Sequence, residues 1–344
     1  MSTTIKDIAE MAQVSVATVS RVINGNGYVK KETKETIENL LKQTGYTPTA
    51  RAQKKILQNS HTVAVVLPSL IFSFYSEILQ GILSFFDTTN IDCMIFLSHE
   101  NPSKELEVIK NMKYQKFSGV IISPASMTGL LSPECIEALG DLNVPVVIVG
   151  RNTRYTHFDN IFMEEEGGAF DAVSLLLKNG HKRIGFLCGD RKIAFMNQRF
   201  LGYEAALTSC SIPLNQDYIK YGSALIEDAY EMTDELFHLS PRPTAIFSSD
   251  NVYTLGLVKY LLENNLTIGK DIAVVAYGDI PQLSIFKISI TAVAKETENM
   301  GALSAKVLLQ RISQGNTGEI VRTALIPEIK LRNSEKLLPS QISL

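Results

Sequence analysis

The chain has 344 residues, 45% of them hydrophobic and 20% charged, with 33 Lys+Arg against 36 Asp+Glu for a formal net charge of −3. That length holds two or three domains with a full core, and the absence of any run of about 18 apolar residues argues against a membrane-spanning helix. The four cysteines, Cys93, Cys135, Cys188 and Cys210, are far apart with no CxxC pair, which argues for reduced thiols in a cytosolic protein and against a zinc site or a disulfide framework. The opening MSTTIKDIAE carries charges at Lys6 and Asp7 and no apolar stretch of the secretory kind. A cytoplasmic chain that needs no cofactor is expected.

Charge is unevenly placed. Residues 1–60 hold nine Lys/Arg and five Asp/Glu, or +4, so the remainder carries −3 − 4 = −7. A small basic head on an acidic body points to a polyanionic partner for the head. The head reads as three short helices. Thr4 can cap a helix from Ile5 to about Met11, with Asp7 at the capping-box position. A tight turn, AQVS, follows, and Ser15 is the candidate cap of a second helix from Val16 to about Asn24. A third helix from about Glu32 to Thr44 places Ile37, Leu40 and Leu41 on one face, with Gly45 as its stop. Two short helices joined by a tight turn and closed by a third make a helix-turn-helix.

The second helix carries the functional signal. Its stretch VSVATVSRVINGNG is β-branched, yet Val16, Val19, Val22 and Ile23 recur at helical spacing. With Val19, Val22 and Ile23 packed inward, the outer face is Ser15, Val16, Ala17, Thr18, Ser20 and Arg21. A helix entering the major groove needs small groups at its leading end to approach base edges. It needs hydroxyls for phosphates and a long cation for guanine, and it must keep carboxylates away from phosphate.

The run TIKDIAEMAQVSVATVSRVING, followed by Gly45-Tyr46 and Pro48, resembles the head of the LacI/GalR family of bacterial transcription regulators. The resemblance implies that Val16 and Ala17 read bases, with Arg21 as third reader. It implies that Thr4, Ser15, Thr18, Ser20 and Asn24 position the head through phosphates, that Tyr28 joins them, and that Tyr46 closes the head. The third helix departs from the family pattern, because Lys30 stands where a hydroxyl cap is usual.

Residues 47–60, TPTARAQKKILQNS, resemble the family's hinge, a short helix that orders on operator DNA and wedges a leucine into the minor groove. Counted from Tyr46 and Pro48, the wedge position is Lys55, with Ile56 beside it and Ala52 and Lys54 on the same short segment. Lysine cannot offset unstacking by apolar contact. The expectation is a weaker or differently made kink, or a wedge supplied by Ile56.

From residue 61 to 335 short apolar runs, such as TVAVVL, GVIIS, VPVVIVG, RIGFLCG, TAIFSS and IAVVAYG, alternate with helical patterns. Continuous runs of that kind suit strands buried on both faces of parallel sheets. About 275 residues suit two lobes with a cleft between them. The fold class expected is therefore an all-α helix-turn-helix head, residues 1–46, on an α/β body of two parallel-sheet lobes. By resemblance the body is like a type I periplasmic binding protein. The N-lobe is expected over about 61–160 plus 292–322 and the C-lobe over about 161–291 plus 323–335, with a tail at 336–344.

The family's effector landmarks are altered. Ser69 opens SLIFSFY, where Phe74 and Tyr75 keep the family aromatics. Arg199 in RFLGYEAAL stands as the effector-clamping arginine, a donor fork suited to vicinal hydroxyls or a carboxylate. Glu164 and Glu165 replace an Asp-Asn pair, and the usual Asn-Asp order is reversed to Asp250-Asn251. Gly278 replaces the aspartate that holds a sugar, leaving space and removing a charge; Ser123 and Arg151 complete the expected wall. The changes cluster in the cleft while the apolar runs are intact, so the resemblance implies an altered effector, a sugar or sugar derivative larger at that end than a monosaccharide. No GxSxG, GxxxxGK[ST] or HExxH is present and the five histidines do not cluster, so no enzyme is expected. The family mechanism implies a homodimer on an inverted-repeat operator, a repressor of carbohydrate-utilisation genes that changes affinity as effector closes the lobes. The N-lobe helix Tyr75–Phe86 and the segment ENMGALSAKVLLQRI are the expected dimer face. The alternative is control by a protein co-regulator or another non-sugar effector.

Overall fold

The structure is a computed structural model that describes residues 5–24, 29–44, 61–71, 73–153, 156–315 and 318–337. The chain divides into two compact units, Met1–His61 and Thr62–Leu344.

The first unit is three helices, α1 (Ile5–Met11), α2 (Val16–Asn24) and α3 (Lys31–Thr44). One residue from each, Ile8, Val19 and Ile37, is fully buried, and Ala9, Ala12, Val14, Val22 and Leu41 pack around them. The reversal between α1 and α2 is made at Gln13, whose φ of 54° is left-handed. Gln13 N–H there donates to Glu10 O at 3.1 Å and Val14 N–H to Ala9 O at 3.0 Å. A residue with a β-carbon holds that conformation at a cost of about 1 kcal/mol, which the small core has to offset.

The second unit contains two six-stranded sheets. The first has the order β11-β5-β4-β3-β1-β2, from β1 (His61–Leu67), β2 (Ile91–Leu97), β3 (Gly119–Ile122), β4 (Val146–Val149), β5 (Asp159–Met163) and β11 (Arg322–Leu325). The second has the order β12-β10-β9-β8-β6-β7, from β6 (Ile184–Cys188), β7 (Ile219–Tyr221), β8 (Ala245–Ser248), β9 (Ala273–Tyr277), β10 (Thr291–Ala294) and β12 (Glu328–Lys330). Strands β3 to β6 and β8 to β10 are buried at every residue, as continuous apolar runs covered on both faces must be. In the first lobe α4 (Ser73–Phe86) and α11 (Thr297–Gln314) bury Ile78, Ile82, Met300 and Leu308 against Val63, Val65, Ile121 and Val147. On the opposite face α5 (Pro102–Asn111) and α6 (Pro133–Gly140) place Ile109 and Leu139 on Val66, Val120 and Ile122. The second lobe repeats the scheme with α7 (Glu165–Lys178) and α8 (Ala194–Ser209) on one face, and α9 (Ile226–Phe237) and α10 (Asn251–Glu263) on the other.

The chain passes between the lobes three times, after Met163, after Ala294 and after Leu325. These crossings fall a few residues later than the expected lobe limits at 160, 291 and 322. β5 and β11 belong whole to the first sheet, and β10 to the second. A strand buried on both faces carries no mark of which sheet it joins, so the periodicity could not place the limits. One strand departs from the expected parallel order: β12 pairs antiparallel with β10, Ala294 opposite Glu328. β11 ends at the hinge, and only Ile326 and Pro327 separate it from β12. β12 therefore starts where β10 ends, and must run the other way.

The helices expected to form the dimer face are packed on one another. A β-carbon at Gly81 would lie 1.9 Å from Glu298 O, and one at Gly301 would lie 2.0 Å from Ile78 O, so α4 and α11 touch backbone to backbone. Their outer faces are polar: Ser73, Ser76, Gln80 and Ser84 on α4, Asn299, Lys306 and Gln310 on α11. Sequence periodicity showed that these helices have an apolar face but not what covers it.

A buried carboxyl sits in the first lobe. Glu105 Oε2 accepts the Ala125 N–H at 2.7 Å, and Cys135 Sγ lies 3.9 Å from Oε1. Burial pushes this carboxyl up to about 7 from 4.5, further than those two hydrogen bonds pull it down. A carboxyl raised in the fold contributes stability that is fully present below pH 4.5 and lost as pH rises through 7. Glu105→Gln keeps the acceptor without the charge. It is expected to melt well above wild type at pH 8, by on the order of 3 kcal/mol, and close to it at pH 4.5. Paired thermal melts at the two pH values check this; equal margins at both would refute it.

Candidate DNA-reading head and effector cleft

The reading face of α2 follows from its cap. Ser15 Oγ accepts the Thr18 N–H at 3.2 Å and lies 2.9 Å from Thr18 Oγ1, fixing the helix start. With Val19 and Val22 turned inward, Val16 is left 40% exposed, Ser15 and Arg21 are exposed and Thr18 is half-buried. α2, VATVSRVIN, contains no carboxylate. Ala17, Ser20 and Asn24 lie on this helix, but their side chains fall outside what is described. Thr4, Tyr28, Tyr46 and the hinge with Ala52, Lys54, Lys55 and Ile56 also lie outside the described residues.

In the body, six of the expected effector residues stand at or just beyond the carboxyl ends of strands: Ser69 after β1, Ser123 after β3, Arg151 after β4, Glu164 after β5, Asp250 after β8 and Gly278 after β9. That is where an open α/β sheet binds ligands. Phe74 and Tyr75 open α4, and Arg199 lies on α8. Ser69 Oγ accepts from Ile71 N–H at 3.2 Å and so shapes its own loop. Ser123 is fully buried, and its Oγ has no partner among the described residues. Glu164 caps α7, its Oε1 accepting the Gly167 N–H at 3.4 Å. Arg151 donates from Nη2 to Tyr75 Oη at 2.7 Å, while buried Asn160 donates to its carbonyl at 2.8 Å and sets the loop.

Arg199 does not present an open fork. It is 1% exposed, with Nε 2.8 Å and Nη2 2.7 Å from Glu165 Oε2, and Nη1 2.6 Å from Ser249 O and 3.4 Å from Asp250 Oδ2. Desolvation pushes the Glu165 carboxyl up, but the Arg199 guanidinium, with Lys295 beyond it, overrides this and holds it below its ordinary range. The pair is ionised and closed upon itself. The expected clamp is therefore engaged within the chain, because Glu165 supplies the acceptor that the effector was expected to bring.

At Gly278 the side-chain direction is occupied as well. Its φ is +108°, and a β-carbon there would lie 2.1 Å from Asn251 Oδ1. The reversed Asp250-Asn251 order puts the amide into the space left by the missing side chain. Asp250, 29% exposed on its side chain, caps α10 through Val252 N–H at 3.3 Å. The expected enlargement at this end is thus filled by the chain.

Two further residues are central, and the sequence reading had not assigned them: Phe195 and Lys295. The Phe195 ring lies 4.7 Å from the guanidinium carbon of Arg151 and 4.7 Å from that of Arg199. Arg199 also lies 4.0 Å from the Tyr277 ring. Lys295 Nζ stands 5.2 Å from Tyr277 and 5.5 Å from Phe74. Phe74 meets Tyr75 edge-on at 5.2 Å, and Arg151 returns to Tyr75 at 6.0 Å. Three cations and four rings form a closed circuit, alternating except at the Phe74–Tyr75 pair, with Phe74, Tyr75 and Arg151 from the first lobe, Phe195, Arg199 and Tyr277 from the second, and Lys295 on the crossing. Each desolvated contact stabilises by roughly 0.5–2 kcal/mol. Ala194 N–H, at the start of α8, also donates to Met127 O of the first lobe at 3.0 Å. Together these contacts latch the lobes. The only sequence signal for Lys295 was a lone lysine directly after the apolar run ITAVA.

Comparison with known proteins agrees with both units. Residues 4–49 match the model of the bacterial regulatory proteins, lacI family, and residues 173–334 match a periplasmic binding protein-like domain. Catabolite control protein A of Priestia megaterium is 28% identical over 337 residues, 98% of this chain and 100% of that protein. The HTH-type transcriptional repressor PurR of Histophilus somni is 27% identical over 336 residues, 97% of this chain and 99% of that one. The crystal structure of the lac repressor dimer bound to operator and the anti-inducer ONPF superposes with a TM-score of 0.81 at 25% identity, over 98% of this chain and 100% of that one. A complex of the transcriptional regulator CelR with cellobiose shares the fold, with a TM-score of 0.69 at 24% identity over 96% of this chain and 99% of that one. In that order along the chain, the protein carries a lacI-family DNA-binding domain followed by a periplasmic binding protein-like domain.

Proposed function

We propose that this protein is a sequence-specific DNA-binding repressor whose operator affinity is set by a small carbohydrate-type effector held between the lobes. The observation that carries the DNA reading is α2: a capped helix that presents Ser15, Val16, Thr18 and Arg21 and bears no carboxylate. The body supports effector control because the expected wall residues gather at strand ends on both sides of a hinge crossed three times by the chain. The lac repressor was solved on operator with an anti-inducer, and CelR with cellobiose; the same kind of coupling is proposed here. By linkage, effector and DNA must alter one another's affinity by the same factor.

One head spans too few base pairs for specificity, so two copies act together on an inverted repeat. Exposed apolar side chains at Met94 and Ile95 of edge strand β2, and at Ile285 and Phe286 of the second lobe, supply surface of the kind subunit contacts cover. Among the described residues no helix is long and apolar enough to cross a membrane, and the site of action proposed is cytoplasmic DNA. A second reading, control by a protein co-regulator, is favoured by one observation: Arg199 is already satisfied inside the chain.

Selection of genomic fragments by the full-length protein at near-physiological salt tests the DNA reading. A single enriched inverted repeat is expected. Salt-sensitive binding that ignores sequence would overturn the proposal.

A further inference from the structure

We propose that Lys295 is the charge-recognising residue of the cleft, and that the effector is an anionic carbohydrate, carrying a carboxylate or a phosphate that seats on the Lys295 ammonium. This rests on the reading of the cleft as an effector site.

Lys295 is the first residue beyond β10, on the second passage of the chain between the lobes. It is walled by both lobes and still half-buried, so its head retains contact with solvent in the cleft. Its nearest described neighbours are aromatic faces, Tyr277 at 5.2 Å and Phe74 at 5.5 Å, and no carboxylate lies at ion-pair distance among the described residues. The carboxylates that face it are engaged elsewhere: Glu165 with Arg199, Asp250 with Arg199 and Val252 N–H, and Glu77 with the Thr297 hydroxyl. The other cation of this wall, Arg199, repels it. Charged groups withdrawn from water are as a rule paired, and half-buried Lys295 has no ion pair among the described residues. Donors in the first-lobe wall also lack acceptors: Ser123 Oγ and Arg151 Nε are buried without partners among the described residues. The missing component is thus an acceptor-rich anion.

The aromatic flanks narrow the ligand further. Phe74 and Phe195, both half-buried, offer rings of the kind that stack on the apolar face of a pyranose, while an ammonium between Phe74 and Tyr277 gives a neutral sugar nothing to neutralise. Desolvation, then the Arg199 charge, pulls the Lys295 ammonium down to about 8, while Glu165, Asp250 and Glu77 push it back up. A bound anion would relieve that strain and keep the ammonium protonated.

The test uses the full-length protein in thermal-shift and calorimetric titrations. The probes are glucose and galactose, galacturonate and gluconate, glucose 6-phosphate, and inorganic phosphate as the ion control. Acidic sugars are expected to bind and neutral sugars not; whether the uronate or the phosphate ester binds more tightly identifies the anionic group. Lys295→Met should weaken that binding at least about tenfold, and Lys295→Arg should restore most of it. Affinity for the acid should fall about tenfold between pH 7 and pH 9, because the protonated fraction of a group titrating near 8 falls by that factor. Neutral sugars binding equally well, with Lys295→Met unchanged, would overturn the charge assignment and leave the carbohydrate cleft standing. Failure of every sugar, acidic and neutral, to bind would overturn both, and binding of inorganic phosphate as tightly as the sugars would reduce the site to a simple ion site.

Discussion

Arg199→Ala is expected to destabilise the body by about 3–5 kcal/mol, because it leaves the Glu165 carboxylate buried without its cation. For a unit of this size that is a fall of roughly 10 °C in melting temperature. The loss has more than one source. Ser249 O would lose its donor, and the Tyr277 and Phe195 rings would lose the guanidinium between them. Arg199→Lys should recover only part, since a single ammonium cannot reach Glu165, Ser249 O and Asp250 together. Arg199→Met combined with Glu165→Met should recover most of the stability, because it removes both charges and refills the space. Thermal and denaturant unfolding of the three variants checks this. An Arg199→Ala variant that melts with wild type would show that the pair is not a structural element of the hinge. A ligand-binding clamp would behave differently, losing ligand response and keeping stability.

The second large effect is expected at the head. Arg21→Ala should weaken binding to the selected operator by about 1–3 kcal/mol and relax the preference at one base pair, while binding to unrelated DNA changes little. Arg21 is exposed on the outer face of α2, about 200° around the helix from the buried Val19 that sets the helix rotation. Competition binding with operator variants at two salt concentrations measures it. If affinity falls equally on all sequences and the salt slope drops by about one, Arg21 contacts phosphate and reads no base.

The parts of this protein legible in its sequence are those set by local rules. The spacing of Ile8, Val19 and Ile37 on short helices, the Ser15 cap and the runs of β-branched residues each specify an element without reference to distant chain. The crossings were displaced by a few residues because β5 and β10 are buried on both faces, and the choice of sheet is made by partners far along the chain. That the named wall residues gather at strand ends was legible, and the contacts they make there were not. Arg199 was identified, yet Glu165 sits on the next element in space and neutralises it. Gly278 was read as space, yet Asn251, at the neighbouring strand end, fills it. In each case the missing information was a pairing between residues tens of positions apart, which no single-chain pattern contains. Lys295 was passed over because nothing local marks a lysine as lacking a partner.

The order in which the chain is made sets a further demand. β11 and β12 close an edge of each sheet, and they are among the last elements of the chain. The helix that covers one face of the first sheet, Thr297–Gln314, is translated only shortly before them. During synthesis the first lobe therefore has Val63, Val65, Ile121 and Val147 in place long before α11, the second of their two covering helices, exists, and the edge of β5 stays open until Leu325 has left the ribosome. Neither lobe can complete its fold as an isolated nascent domain, so the body must be held soluble until nearly the whole message has been read. Premature termination anywhere before the last crossing should yield aggregates, with no half-functional lobe, and the cell's chaperone capacity becomes part of what sets the regulator's concentration.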